Sequence, residues 1–326
     1  MKHCQNRHSR GFTVIELLTV ASCLSVLSAL ILPAIQDARS AALRTKCQNN
    51  LKSVALAMHN YHDVYNGFPP GWISRYRDAE SEGGFGWQAR LLPYVEQAPL
   101  YSKLEMNHPM TEPEGLLTES VNVYLCPADT DAPKTNPYRG GYGTSSYSGS
   151  LGTIAPNRWI DGRVEAYWPG AVTTYAALLR QGRPGKKTEE DKQLPGPASL
   201  PEAMLGSPDG IFGWNISVRM RDISDGSSNT LMAGERSRMS GWGIWPGTGS
   251  NRFETDVVTD VSFQSPLNQS LTGFSSAHPG GLFVALCDGS VRFLSDEVDS
   301  RPEGGVLQFL GTRNGNEVIT GNPFPQ

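Results

Sequence analysis

The longest hydrophobic segment of the chain lies near its N-terminus. Residues 12–35 contain one charged side chain, Glu16, among 24 positions. As an α-helix this segment is about 36 Å long, enough to cross a hydrocarbon core of about 30 Å. We therefore predict a transmembrane helix over residues 12–35. Because a carboxylate within lipid costs on the order of a few kcal/mol, Glu16 indicates a function.

After residue 35 the hydrophobic pattern narrows to a stripe at three- and four-residue steps. The stripe consists of Leu43, Cys47, Leu51, Val54, Ala55 and Met58. The opposite face is polar, and Asn66-Gly67 followed by two prolines ends the pattern. We predict an amphipathic extension over residues 36–65, so that one helix of roughly 50 residues begins in lipid and continues along a soluble domain.

The remaining residues, 66–326, predict a β-rich domain, since 35 glycines, 23 prolines and 18% charged residues favour many turns. Residues 121–125 and 257–263 alternate as strands do. A hairpin is predicted from strands 282–287 and 291–294, joined by a two-residue turn in which Asp288 and Gly289 both take positive φ.

Two polar segments are predicted to be loops. Residues 138–152 are rich in Gly, Ser and Tyr and predict a surface loop, and residues 181–201 predict a flexible insertion. The fold class expected from the whole pattern is α+β, a long N-terminal helix packed on a mainly antiparallel, β-rich domain.

Residues 1–11 form a short basic leader that ends at Gly11, and Phe12 and Glu16 follow at fixed spacing. This segment resembles the cleavage and methylation segment of type IV prepilins and type II secretion pseudopilins. The resemblance implies a pilin-like fold, cleavage between Gly11 and Phe12 by a prepilin peptidase, and methylation of the new amine. It also implies that Glu16 pairs with the Phe12 amine of a neighbouring subunit. The alternative is an ordinary signal anchor that carries a stray acid.

The same resemblance implies a place in the cell. The chain would cross the bacterial inner membrane once, with its N-terminus in the cytoplasm and its bulk outside, and its partners would be other pilin-like subunits. The leader holds three of the 28 basic residues, which leaves 25 against 32 acidic residues, a net charge of −7. An acidic domain of this kind argues against nucleic acid as a partner.

Five cysteines are present, of which Cys4 lies in the leader and Cys23 in the predicted span. We predict a disulfide between Cys47, on the helical extension, and Cys126, which opens a Cys-Pro-x-Asp turn. Two free buried thiols are the alternative. No Cys-x-x-Cys or His-x-x-x-His spacing predicts a structural zinc site.

Most of the chain, from residue 10 to about 297, also resembles a bacterial family of unknown biochemical role with a C-terminal His-x9-Asp-Gly motif. Here the motif is His278 followed by Asp288-Gly289. A catalytic His278 would need an acid and a nucleophile such as Ser275 or Ser276. Turn chemistry already accounts for these residue types, so we do not predict an enzyme.

Two further sets of residues leave a choice open. Asp222, Asp225 and Asn229 offer oxygen atoms to calcium, although Asx turns that satisfy their own backbone are the interpretation we favour, and no other cofactor is predicted. Trp242 and Trp245, amid glycines, would stack on a sugar or peptide if exposed and are otherwise core residues.

The function expected from these patterns is that of a pseudopilin-like, membrane-anchored envelope protein. It would be processed by prepilin peptidase and assembled through its N-terminal helix. The alternative is a protein that uses the prepilin anchor for export and binds a solute, glycan or peptide without polymerising.

Overall fold

The computed structural model describes residues 14–73, 84–110, 114–153, 209–213, 215–248, 257–262, 265–270, 272–301, 304–317, 319 and 323–324. Gly11, Phe12 and the predicted insertion at 181–201 lie outside these ranges. The chain forms two compact units, Met1–Thr45 and Lys46–Gln326.

The longest element is helix α1, Val14–Tyr65. It is long and apolar enough to cross a membrane, as a span or as a signal anchor. Its large apolar side chains between Val14 and Ile35 each expose 52% to 75% of their surface. In the second unit the predicted stripe is buried, with Cys47, Leu51 and Met58 fully covered.

The second unit contains short strands and short helices. The strands are β1 (Gly84–Phe85), β2 (Thr144–Ser145), β3 (Tyr147–Gly152), β4 (Phe212–Gly213), β5 (Ile216–Ser217), β6 (Leu231–Glu235), β7 (Gly243–Ile244), β8 (Gly247–Thr248), β9 (Val258–Asp260), β10 (Gly281–Leu286) and β11 (Val291–Ser295). The helices are α2 (Trp87–Leu91), α3 (Ala98–Tyr101) and α4 (Val306–Gly311), with 3-10 turns at Leu92–Val95, Gly115–Thr118, Asn122–Tyr124, Met220–Asp222 and Arg238–Ser240.

Five strands form the main sheet, in the order β11-β10-β6-β3-β9. All neighbours in it are antiparallel except β3 and β9, which are parallel. The α+β class with a mainly antiparallel sheet is confirmed.

Strand β10 shows why this sheet is stable, because its side chains alternate between two cores. Phe283 and Ala285 join the core that contains the buried stripe of α1. Leu282 and Val284 join a second core with Leu307 of α4. Helical residues therefore cover both faces of the sheet, which explains why all six residues of β10 are buried.

Two predictions made from local pattern were wrong. The supposed strand at 121–125 contains the 3-10 turn Asn122–Tyr124. The supposed surface loop at 138–152 contains β3, a buried strand between β6 and β9. Small residues are needed in this strand because the neighbouring side chains pack closely on it. A Cβ atom added at Gly149 would lie 2.4 Å from the Phe212 ring, which is closer than van der Waals contact allows.

Candidate functional site

Four chemically reactive side chains meet inside the second unit. Cys47 comes from α1, Cys126 follows the 3-10 turn Asn122–Tyr124, Glu235 ends β6, and His278 precedes β10. Each of these residues exposes 4% of its surface or less. One ligand atom from each lies within 4.8 Å of the other three. We refer to these four residues as the buried cluster.

The structure joins Cys47 and Cys126, the pair put forward from the sequence, in a disulfide with sulfur atoms 2.13 Å apart. The bond links α1 to a segment 79 residues away. Beside it, the Asn50 Nδ2 amide donates a hydrogen bond of 2.8 Å to the Leu125 carbonyl oxygen. The α1 helix and this segment are therefore tied by both covalent and polar contacts.

His278 and Glu235 form the polar half of the buried cluster. His278 Nε2 lies 3.3 Å from Glu235 Oε1 and 3.7 Å from Cys126 Sγ. The other carboxylate oxygen, Oε2, accepts hydrogen bonds from Ser276 Oγ at 2.7 Å and from the Phe283 backbone amide at 2.9 Å. Oε1 is fully buried and receives no hydrogen bond from the described residues, although His278 Nε2 lies within ion-pair distance of it.

The second half of the His-x9-Asp-Gly motif lies in the β10–β11 hairpin, and its turn differs from the prediction. Gly289 has φ of 79°, whereas Asp288 is not among the residues with positive φ. The Gly289 amide donates to the Leu286 carbonyl, and the Leu286 amide donates to the Ser290 carbonyl. The loop therefore has three residues, 287–289, with glycine at the left-handed position, instead of a two-residue turn.

This turn packs against α1. Lys52 Nζ donates a hydrogen bond of 2.5 Å to the Gly289 carbonyl, and a Cβ at Gly289 would lie 3.0 Å from His59 Nε2. Asp288 Oδ1 accepts the Ser290 amide at 2.8 Å, which holds the turn closed. The Asp-Gly pair thus has a docking role at the helix, and the carboxylate beside His278 is Glu235 instead of Asp288.

The serines near His278 do not form a nucleophile–base pair with it. Ser276 Oγ donates to Glu235 and accepts the His278 backbone amide, and Ser275 Oγ is bonded to Ser237 and Ser240. Among the described residues, no serine hydroxyl is hydrogen-bonded to the His278 ring. The geometry therefore offers no support for acyl-transfer chemistry at this histidine.

The three calcium candidates make contacts with protein groups. Asp222 pairs with Arg219 at 2.9 Å, and this contact lowers the pKa of the exposed carboxyl. Asp225 accepts the backbone amides of Gly315 and Asn316 at 2.7 Å and 2.8 Å. Asn229 donates its side-chain amide to the Asp225 carbonyl. The contacts of Asp222 and Asn229 are local turn interactions of the kind weighed as the alternative to calcium, whereas the Asp225 carboxylate binds the backbone of a segment about 90 residues away.

The tryptophans weighed as a stacking surface are interior residues. Trp242 and Trp245 are buried, and their Nε1 atoms donate to Asp129 Oδ2 at 2.6 Å and to the Glu119 carbonyl at 2.8 Å. Burial raises the pKa of Asp129, an effect that the Trp242 hydrogen bond opposes. Neither ring is presented for a ligand.

Of the residues predicted to act in cleavage and assembly, Glu16 lies in the first turn of α1, and its carbonyl accepts a hydrogen bond from Thr19 Oγ1. Gly11 and Phe12 are outside the described residues.

A family model described as a protein of unknown function (DUF1559) matches residues 36–301. The chain belongs to this family. The match begins after the apolar part of α1 and includes every residue of the buried cluster and the Asp288-Gly289 turn. No curated protein and no solved structure matches the DUF1559 chain.

The residue that sequence reasoning missed is Glu235. The sequence marks this residue only weakly, as a single acid at the end of the apolar run Leu231–Glu235. A buried carboxylate at such a place usually has a partner. The convergence of four residues was not visible either, because they lie 79, 109 and 43 positions apart along the chain. Zinc-ligand spacing rules detect pairs on one loop or helix turn and do not detect such a set.

Proposed function

We propose that this DUF1559 chain is a pseudopilin-like envelope protein of the bacterial inner membrane that is cut between Gly11 and Phe12 and assembles through α1. The observation that carries the proposal is the exposed apolar surface of α1 between Val14 and Ile35. Such a surface is unfavourable in water by about 25 cal/mol for each Å². Lipid and the helices of neighbouring subunits would both remove it from water.

Glu16 supports assembly in addition to anchoring. A carboxylate in lipid is stabilised by a nearby cation, and the amine freed at Phe12 would supply one. Within one chain the two positions are four residues apart in sequence, the spacing at which side chains meet on a helix, so they could pair until a neighbour replaces the contact. Cleavage would thereby create the group that assembly needs.

The Cys47–Cys126 disulfide supports an extracytoplasmic place for the domain. Disulfides persist in oxidising compartments and are rare in the cytoplasm. A disulfide in the unit that follows the apolar helix agrees with export of that unit, with the leader left on the cytoplasmic side.

The cleavage part of the proposal is tested by mass analysis of the chain isolated from membranes. We expect the mature chain to begin at Phe12 and to carry one methyl group on its amine. Gly11→Val should leave the uncut precursor. A mature chain that begins at Met1 would overturn the proposal.

Assembly is tested by crosslinking in membranes, with Glu16→Ala compared with Asp37→Ala, which removes an acid from the same helix beyond the apolar segment. Glu16→Ala should be cleaved normally and give about tenfold fewer crosslinked oligomers, equivalent to about 1.4 kcal/mol. Asp37→Ala should assemble normally. Monomers from the unsubstituted chain would favour the alternative, a ligand-binding protein that does not polymerise.

A further inference from the structure

The buried cluster contains an arrangement that the disulfide does not explain. The Glu235 carboxylate is buried, and one of its oxygens receives no hydrogen bond from the part of the chain that the structure describes, although it lies beside an imidazole and two sulfur atoms. A buried carboxylate oxygen without a hydrogen bond is costly, and natural proteins satisfy such groups with a hydrogen bond, a counter-charge or a metal ion. The composition of this cluster, two sulfurs, one imidazole and one carboxylate, matches the ligands that zinc takes in proteins.

We propose that the reduced form of this protein binds one zinc ion through Cys47, Cys126, Glu235 and His278. The four residues would supply two thiolates, Nε2 and Oε1 as a closed tetrahedral set. Because all four are buried, the ion would enter as the chain folds or during local opening, and no position would remain for water. The site is thus structural in kind.

The distances on the polar side already fit this geometry. With usual zinc–ligand bond lengths, a tetrahedral site separates nitrogen from sulfur by about 3.5 Å and nitrogen from oxygen by about 3.3 Å. The structure has 3.7 Å from His278 Nε2 to Cys126 Sγ and 3.3 Å from the same nitrogen to Glu235 Oε1. The imidazole nitrogen and the carboxylate oxygen therefore need little rearrangement to share one ion.

The surroundings resemble the outer shell of a metal site. The Ala128 backbone amide donates to Cys47 Sγ at 3.5 Å, a contact that would stabilise a thiolate. Ser276 Oγ and the Phe283 amide hold Oε2, so that Oε1, which lies 3.3 Å from His278 Nε2, is the oxygen left to bind an ion. Outer contacts of this kind orient metal ligands and raise affinity.

The disulfide and the zinc ion are alternatives for the same two sulfurs. A phosphine reductant and one water molecule convert the disulfide into two thiols, and the phosphine becomes a phosphine oxide. Zinc then binds as the two thiols lose their protons to solvent, and the sulfurs separate to about 3.8 Å. The oxidised chain should therefore not bind the ion at this place.

The experiment uses the full chain extracted from membranes in detergent, reduced with a phosphine and freed of metal by a chelator. Cobalt(II) is the probe, because a tetrahedral thiolate site gives a strong visible band and a sulfur-to-cobalt charge-transfer band. We expect one cobalt per chain, displaced by one equivalent of zinc. The oxidised chain should give neither band.

Substitutions assign the bands to the four residues. Glu235→Gln and His278→Ala should each weaken cobalt binding at least about tenfold, and Cys126→Ser should abolish the tetrahedral spectrum. Cys287→Ala is the matched control, since Cys287 is also buried but lies outside the buried cluster. It should leave the spectrum and the stoichiometry unchanged.

Near-UV circular dichroism shows whether the reduced chain and its variants remain folded. A reduced chain that stays folded and takes up no cobalt would overturn the proposal, as would a spectrum that survives Cys126→Ser. If reduction unfolds the chain, zinc should restore the folded spectrum, and failure to restore it would also overturn the proposal. None of these outcomes depends on cleavage at Gly11 or on assembly.

Discussion

Helix α1 contains two segments that obey different physical rules. Between Val14 and Ile35 the apolar side chains occupy all sides of the helix and are exposed, and Glu16 is the one charged residue of this segment. In the second unit, by contrast, one stripe is buried and the opposite face is polar, as at Lys52 and Ser53, which are exposed. The backbone is helical in both segments, so side-chain pattern alone distinguishes them.

The two segments of α1 are stabilised by different surroundings. A stripe needs one folded partner, and the DUF1559 domain supplies it through Phe283, Ala285 and other residues of the same core. A helix that is apolar on all sides needs surroundings without water, which a single domain face cannot supply. Substitutions in the two segments should therefore be felt in different measurements.

The largest expected effect comes from a matched pair of leucines on α1. Leu51 is fully buried and Leu24 is 58% exposed. Leu51→Ala should lower the free energy of unfolding of the domain by about 3 to 5 kcal/mol, because it removes core contacts and leaves a cavity. Leu24→Ala should change it by less than about 0.5 kcal/mol.

Tryptophan fluorescence during urea unfolding measures this difference cleanly, since all seven tryptophans lie beyond residue 70 and report on the domain. Equal losses in the two variants would break the comparison, because they would show that the exposed segment contributes to the domain core. A loss confined to Leu51→Ala would support it.

The second prediction concerns the turn that docks on the buried segment of α1. Gly289 and Gly280 both have φ of 79°, but only at Gly289 would a Cβ approach His59. Gly280→Ala should cost about 1 kcal/mol from backbone strain, and Gly289→Ala about 2 to 3 kcal/mol because contact with the helix adds to that strain.

Thermal unfolding of the two glycine variants separates strain from crowding. If both variants lose the same stability, the turn does not press on α1 and the second half of the motif has a local role only. A larger loss at Gly289 would link the motif to the helix.

The elements that the sequence predicted well are those with a local cause. The helix was expected from residue 12 to about 65 and runs from Val14 to Tyr65, because its pattern is periodic over many turns. The hairpin strands were also found, since alternation and an Asp-Gly pair signal them within a dozen residues. The predicted turn type of the hairpin was wrong, because Asp288 does not have a positive φ and the loop has three residues instead of the predicted two.

The elements that were missed depend on distant residues. Strand β3 reads as a polar loop, but it is buried on both faces and pairs with β9, about a hundred residues later along the chain. Its serines and Gly149 are small enough to admit Phe212 beside the sheet, which no local pattern reveals. The buried cluster was missed for the same reason. Cys47 and Cys126 had been predicted as a disulfide pair and His278 had been considered separately, whereas the fold brings Glu235 and His278 to the pair.

The smallest expected effect is a pH dependence at the contact between α1 and the hairpin. Burial lowers the pKa of His59 below its ordinary value of 6.5, and the nearby charge of His62 acts in the same direction, while Asp63 and Asp288 oppose it. The folded chain therefore binds fewer protons at His59 than the unfolded chain does. The stability gained from the neutral ring is complete above pH 6.5 and is lost as the pH falls through the lowered pKa.

His59→Gln should accordingly make the free energy of unfolding less sensitive to acid, by less than about 1 kcal/mol. Urea unfolding at a series of pH values from about 7.5 to 5 measures the slope. His108→Gln, at an exposed histidine outside this contact, is the control and should keep the slope of the unsubstituted chain. An unchanged slope in His59→Gln would contradict the prediction, because it would mean that the folded chain accepts a proton at His59 as readily as the unfolded chain does. A reduced slope would place an acid-sensitive contact on the buried segment of α1. The exposed apolar segment offers no comparable group, because its one titratable side chain after Glu16 is the Cys23 thiol.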